Sequence, residues 1–209
     1  MPAQHQTELH LPFEGEWLVF WGGDTPELNH HHDSQAEKYA FDFVVTDEGG
    51  NFYRDGERTN EASLAFGRPI LSPAAGTAIE TVDGVRDNRP GRLNTYSILG
   101  NYVLIKHNED EFSLLAHLRQ YSLQVQAGEQ IEQGQLLAQC GNSGRSSDAH
   151  LHYQLQDFDV FAELNTSHEQ RALARGIKAY FTDVLLERNG ITKPRRQCSP
   201  VKDDIVSNA

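Results

Sequence analysis

The hydrophobic pattern of this 209-residue chain is mostly of period two. Short runs of β-branched and aromatic residues alternate with turn signals, which predicts an antiparallel β protein. "YAFDFVV", from Tyr39 to Val45, reads as a strand ending in the turn "TDEGGN". "GRPILSPAAGTAIETVDG", from Gly67 to Gly84, holds two strands around Ala74-Ala75-Gly76, and "NYVLIKHNEDEFSLLAHL", from Asn101 to Leu118, reads as strand, turn, strand. "GEQIEQGQLLAQCGNSG", from Gly128 to Gly144, places Gly-x-x-Ile and Gly-x-x-Leu turns before a further strand, and the last strand carries "HLHYQL". Beyond residue 165 the spacing becomes helix-like. "TSHEQRALARGIKAYFTDVLLERN" has Thr166 or Ser167 as an N-cap, and it predicts a C-terminal helical segment with an extended end, "CSPVKDDIVSNA". The expected division is therefore a β-rich domain over 1–160 and a helical extension with its tail over 161–209.

Alternation also sorts the polar residues. His150 and His152 share one strand face and Leu151 takes the other, so two imidazoles aim into the same space. Asp42 sits within an apolar strand, where a carboxylate is costly to bury unless it is paired or metal-bound. A structural ion pair is the competing reading. In "FSLLAHL", Ser113, Leu115 and His117 fall on one face, and a core histidine satisfied by a backbone carbonyl is the plain alternative for His117. The loop "NHHHD" adds His30, His31, His32 and Asp33, which taken alone is surface decoration. Trp17 and Trp21 read as core, and His5, His10, His107 and His168 as surface residues.

Composition narrows the function classes. Net charge is −12 with no Lys/Arg run long enough to track phosphates, so nucleic acid is a poor partner. No run of about 18 apolar residues exists to span a membrane. "MPAQHQTELHLPFEGEW" shows neither a charged n-region nor an apolar h-region, so no signal peptide is visible. Cys140 and Cys198 could pair or remain thiols, and no CxxC spacing marks a thiolate zinc site. Histidines are the better place to seek a metal.

In order, a histidine (His31), a strand aspartate (Asp42), a histidine after "LLA" (His117) and a terminal His-x-His (His150, His152) resemble the lysostaphin-type (LytM-like) zinc metallopeptidases. The likeness runs through "GRPILSPAAGTAIETVDG", "GNYVLIKH" and "AHLRQYSLQVQAGEQIEQGQLLAQCGNSGRSSDAHLHYQL", roughly residues 20–157. It implies an antiparallel β-sheet folded over to line a groove. It further implies that His31, Asp42 and His152 bind Zn2+, with His117 and His150 flanking the reacting water as acid/base groups. The reaction would be hydrolysis of peptide bonds in peptidoglycan stem or cross-bridge peptides. Such a substrate implies an extracytoplasmic location (periplasm or cell wall), although a cytoplasmic one stays open, as does the oligomeric state. The short family motif puts three residues between its first His and Asp, whereas ten separate His31 from Asp42. Asn29-His30-His31 with Ala40-Phe41-Asp42-Phe43 fits an inserted "N-x-H … A-x-D-F" version, and that register selects His31 over His30 and His32. Two other classes remain. One is a non-catalytic relative that binds or regulates cell-wall hydrolases. The other is a lipoyl/biotinyl-type carrier hairpin, which the absence of lysine between Lys106 and Lys178 argues against.

Overall fold

The computed structural model describes residues 5–157 and 174–209. Its strands are β1 (Trp17–Trp21), β2 (Phe41–Val44), β3 (Pro69–Leu71), β4 (Gly76–Val82), β5 (Asn101–Asn108), β6 (Glu111–Leu118), β7 (Gln130–Ile131), β8 (Leu136–Gln139), β9 (Leu151–Gln156), β10 (Gly176–Ile177), β11 (Phe181–Arg188), β12 (Ile191–Cys198) and β13 (Ile205–Asn208). Eleven of them form one antiparallel sheet, ordered β12-β11-β13-β1-β2-β9-β6-β5-β4-β7 with β10 also on β9, while β3 and β8 pair separately. The fold class is thus mainly antiparallel β. Cys140 and Cys198 are free thiols. No helix among the described residues is long and apolar enough to cross a membrane.

Three adjacent strands at the sheet's centre organise the molecule. Asp42 of β2 lies directly opposite His152 of β9, and Ala116 of β6 lies opposite His152 on the other side. Residues one step away on each strand, Phe41, Phe43, Leu151, Tyr153 and Leu115, turn to the opposite face and join the main apolar core with Trp17 and Phe181. Period-two alternation therefore puts aromatic and aliphatic side chains under the sheet and the polar residues above it.

The helical expectation for the C-terminal segment fails over its described part, since residues 176–208 contribute four strands to the main sheet. Residues 166–173 of that expectation lie outside the described residues. The cause of the misreading is local. Asp183 adopts a left-handed φ of +50°, which interrupts the alternation, so Phe181 and Val184, three apart, both reach the core. That spacing imitates a helix. The contrary signal was Asn189-Gly190, both at positive φ (+54° and +73°), the residue pair favoured in a two-residue hairpin turn. It joins β11 to β12 with Arg188 opposite Ile191.

Candidate metal and catalytic site

Asp42 is buried at 4% exposure, and four imidazoles surround its carboxylate. Oδ1 lies 3.0 Å from His152 Nδ1 and 3.6 Å from His150 Nε2, and Oδ2 lies 3.1 Å from His31 Nε2 and 3.3 Å from His30 Nε2. Burial raises a carboxyl pKa, yet the histidines, His150 and His31 foremost, hold Asp42 well below its usual range. The same logic acts on His31. Burial disfavours its charged form, but the Asp42 carboxylate and then Glu37 outweigh that and push its pKa up to about 9.

Hydrogen-bond partners fix which nitrogen faces inward. Gln154 donates through Nε2 to the Ala36 carbonyl, which leaves its Oε1 to accept from His152 Nε2 at 3.0 Å. Neutral His152 then carries its proton on Nε2 and aims the Nδ1 lone pair at Asp42 Oδ1. A lone pair and a carboxylate oxygen 3.0 Å apart repel unless a proton or cation is shared between them. His31 is placed similarly, with Nδ1 facing Glu37 Oε2 at 3.3 Å and Nε2 facing Asp42, and its raised pKa keeps a proton on both nitrogens until a metal displaces the one at Nε2. Two imidazole nitrogens and a carboxylate oxygen form a donor set suited to zinc, whereas calcium and magnesium prefer all-oxygen shells. The residues fit the ion.

The loop carrying the triple histidine is pinned by Asn29, which is fully buried. Its Nδ2 donates to the Ala40, Gly23 and Lys38 carbonyls (3.0, 3.3 and 3.3 Å), and its Oδ1 accepts from the His31 backbone N–H at 3.0 Å. His32 instead meets the exposed Asp33 carboxylate at 3.3 Å. His30 does reach the site. Its ring stacks flat on Trp21 (centroids 5.0 Å, 5° between planes), its Nε2 lies 2.8 Å from His31 Nε2, and Lys202 Nζ covers Trp21 at 3.9 Å from the ring centroid. His30, His31 and Asp42 therefore form one compact cluster of donor atoms.

His117 does not follow the alternation read from sequence. Strict period two would send it beneath the sheet with Leu115. Its φ of +61° turns the ring to the His152 side, with centroids 4.7 Å from His150 and 5.8 Å from His152. A left-handed non-glycine residue costs about 1–2 kcal/mol, a strain concentrated at functional sites. His117 Nδ1–H donates to the Ser143 carbonyl at 2.9 Å, and His150 Nδ1–H to the Asp148 carbonyl at 2.9 Å. Carbonyls only accept, so both rings keep Nε2 unprotonated when neutral. Burial, reinforced for His117 by the neighbouring imidazoles, lowers both pKa values. Two imidazoles that are neutral at pH 7, each with a free Nε2 lone pair, thus sit beside the Asp42 cluster.

All five residues singled out from sequence converge here. Glu37 and Gln154 are missed by the sequence reading, His30 is set aside by its register, and Trp21 is read there as core. Trp21 is half-buried and lines the cavity rather than the core. The cavity, about 580 Å³, is lined by His30, His31, Asp42, His117 and His150 together with the apolar Phe20, Phe52 and Leu93. Two other histidines also depart from their expected place. His5 is buried, and His107 bonds the Ala75 carbonyl and Ser113 Oγ at 2.8 Å each.

Residues 60–165 match the family model of Peptidase family M23, a stretch holding His117, His150 and His152 and beginning after His31 and Asp42. The chain is 34% identical over 92 residues to an uncharacterized metalloprotease of Haemophilus influenzae, covering 44% of this chain and 17% of that protein. It is 29% identical over 93 residues to the peptidoglycan DD-endopeptidase ShyA of Vibrio cholerae, covering 44% and 18%. The matched stretch thus spans less than a fifth of either relative. A zinc-containing peptidase from Vibrio cholerae is a structural neighbour at TM-score 0.45 and 20% identity, covering 72% of this chain and 36% of the other.

Proposed function

Because the chain belongs to peptidase family M23, we propose that it is a zinc-dependent endopeptidase hydrolysing peptide bonds in peptidoglycan stem or cross-bridge peptides. The observation carrying this reading is the gathering of His31, His117, His150 and His152 around one buried carboxylate, Asp42, that lines an open cavity. The similarity to a protein named as a peptidoglycan DD-endopeptidase supports the substrate class. That substrate places the site of action outside the cytoplasmic membrane.

His31, Asp42 and His152 would hold the metal. Glu37 and Gln154 accept the other N–H of the two histidines, which fixes tautomer and ring orientation. Zinc, when bound, supplies Lewis acidity toward water and the scissile carbonyl. His150 and His117 present unprotonated Nε2 atoms to the same space. One takes the proton of the attacking water at Nε2 and then passes that same proton to the departing amine, while the other accepts a hydrogen bond from the water and orients it. Their Nδ1–H bonds to the Asp148 and Ser143 carbonyls keep each ring aimed during the transfer. Phe20, Phe52 and Leu93 give the substrate an apolar lining beside these polar groups.

The test compares zinc content and cleavage of a cross-linked muropeptide in single variants. His152→Ala should lose zinc and activity together. His150→Ala and His117→Ala should keep zinc and lose about 10²–10⁴-fold in rate. Wild-type turnover in His150→Ala would remove its catalytic role, and zinc loss in that variant would make it a ligand instead.

A further inference from the structure

A second groove, about 690 Å³, adjoins the catalytic cavity and shares Arg58 with it as a lining residue. On a chain of net charge −12 this groove is lined by four arginines, Arg58, Arg86, Arg89 and Arg119. Their charges are not all spent. Arg58 makes a bidentate pair with Asp148, with Nε–Oδ1 and Nη2–Oδ2 at 3.1 and 2.8 Å. Arg119 donates to Gln139 Oε1 at 2.7 Å, lies 5.1 Å from the Phe66 ring centroid and is partly offset by the nearby Asp87 carboxylate. Among the described residues neither the Arg86 nor the Arg89 guanidinium has an acidic or hydrogen-bonding partner. Two acids line the same groove. Glu61 is exposed, while Asp87 has its oxygens occupied by the Asn142 and Gln120 backbone N–H groups at 2.7 and 3.1 Å.

The loop bearing Arg86 and Arg89 is tied to the segments that hold the catalytic histidines. Asn88 Nδ2 donates to the Gly144 and Ser146 carbonyls, the Asn88 backbone N–H to the Asn142 carbonyl, and Gly91 N–H to the Ser147 carbonyl. Those acceptors flank Ser143 and Asp148, whose carbonyls orient His117 and His150. The guanidiniums are therefore held in register with the chemistry rather than carried on an unattached loop.

We propose that this arginine groove is a recognition subsite for the free carboxylates of an acidic peptide substrate. It would receive a part of the substrate away from the bond being cut. The inference rests on the neighbouring cavity being the site of peptide cleavage. Guanidinium forks match planar carboxylates in bidentate geometry, and a locally positive groove on an acidic protein draws the charged part of a substrate to one place while the remaining surface repels it.

The experiment uses the zinc-loaded 209-residue chain and two fluorescent peptides of one sequence, bearing either free side-chain carboxylates or the corresponding carboxamides. Anisotropy gives the affinities, and cleavage is followed on the same samples. The wild type should bind the acid form about tenfold tighter, and the ratio should collapse toward one in the Arg86→Gln/Arg89→Gln double variant. The Arg86→Lys/Arg89→Lys variant, which keeps the charge, should restore part of it. Equal affinities in the wild type, or equal weakening of both peptides in the double variant, would overturn the proposal. So would poly(glycerol phosphate) competing through the same arginines while the acid peptide does not. If neither peptide is cleaved, the enzyme reading fails, and the affinity ratio still decides the groove.

Discussion

Glu37 gives the sharpest test of how the site is built, because it touches His31 and not the reacting atoms. Its Oε2 lies 3.3 Å from His31 Nδ1, on the far side of the ring from Asp42. At that separation a full positive charge on His31 would be attracted by about 5 kcal/mol at an effective dielectric near 20, and the neutral, zinc-bound ring carries only part of that charge. Glu37 is one-third exposed, so solvent screening leaves only a fraction of this. Carboxylates that support a metal-bound histidine are typically worth about 10–100-fold in metal affinity. Glu37→Ala should therefore weaken zinc binding about 10–100-fold, with the remaining zinc-loaded fraction still turning over. Glu37→Gln keeps a carbonyl acceptor for Nδ1–H and loses only the charge, so its loss should be smaller. Zinc affinity is read by competition with a chromophoric chelator, with thermal melting as the check on folding. An affinity within twofold of wild type for Glu37→Ala would refute the reasoning, since His31 would then need no help in orientation or basicity.

Further outcomes follow from the surrounding structure. Asn29→Ala strands buried carbonyls and frees the loop that positions His31, so thermal stability and zinc affinity should fall together, whereas His32→Ala should leave both near wild type. Gly100 has φ +66°, and a Cβ there would lie 2.5 Å from the Ser143 carbonyl carbon, so Gly100→Ala should lower both Tm and turnover by displacing the carbonyl that aims His117. His107 has its pKa lowered by burial. Its stabilising effect is therefore full above the unfolded value of about 6.5 and is lost as pH falls below that. Denaturant midpoints should drop between pH 7 and 5 by less in His107→Gln than in wild type.

The central strands were legible because both faces follow one rule. Phe41, Phe43, Leu151 and Tyr153 alternate with Asp42 and His152, and an ionisable residue inside an apolar strand announces itself. The remainder depended on features that alternation does not encode. A left-handed residue moved His117 to the other face, and another at Asp183 disguised β11 as a helix. Trp21 looked like core because aromatic residues usually are, yet at the end of β1 it supports His30 from the cavity wall. Glu37 was invisible for a different reason. It lies six residues from His31 in an irregular loop, where neither helical nor strand periodicity says which side chains meet. The Asn29 clamp holds the connection between His31 and Asp42 in place through its bonds to the Gly23, Lys38 and Ala40 carbonyls and the His31 backbone N–H.

The central claim is that this cavity cuts peptide bonds with the help of zinc held by His31, Asp42 and His152. The most direct measurement is the appearance of new amino termini from a defined cross-linked muropeptide, followed by mass spectrometry. It would be run on the native protein, on protein stripped by chelator, and on stripped protein given one equivalent of zinc. Cleavage should be present, lost and restored, in that order. Equal cleavage by the stripped protein would contradict the account.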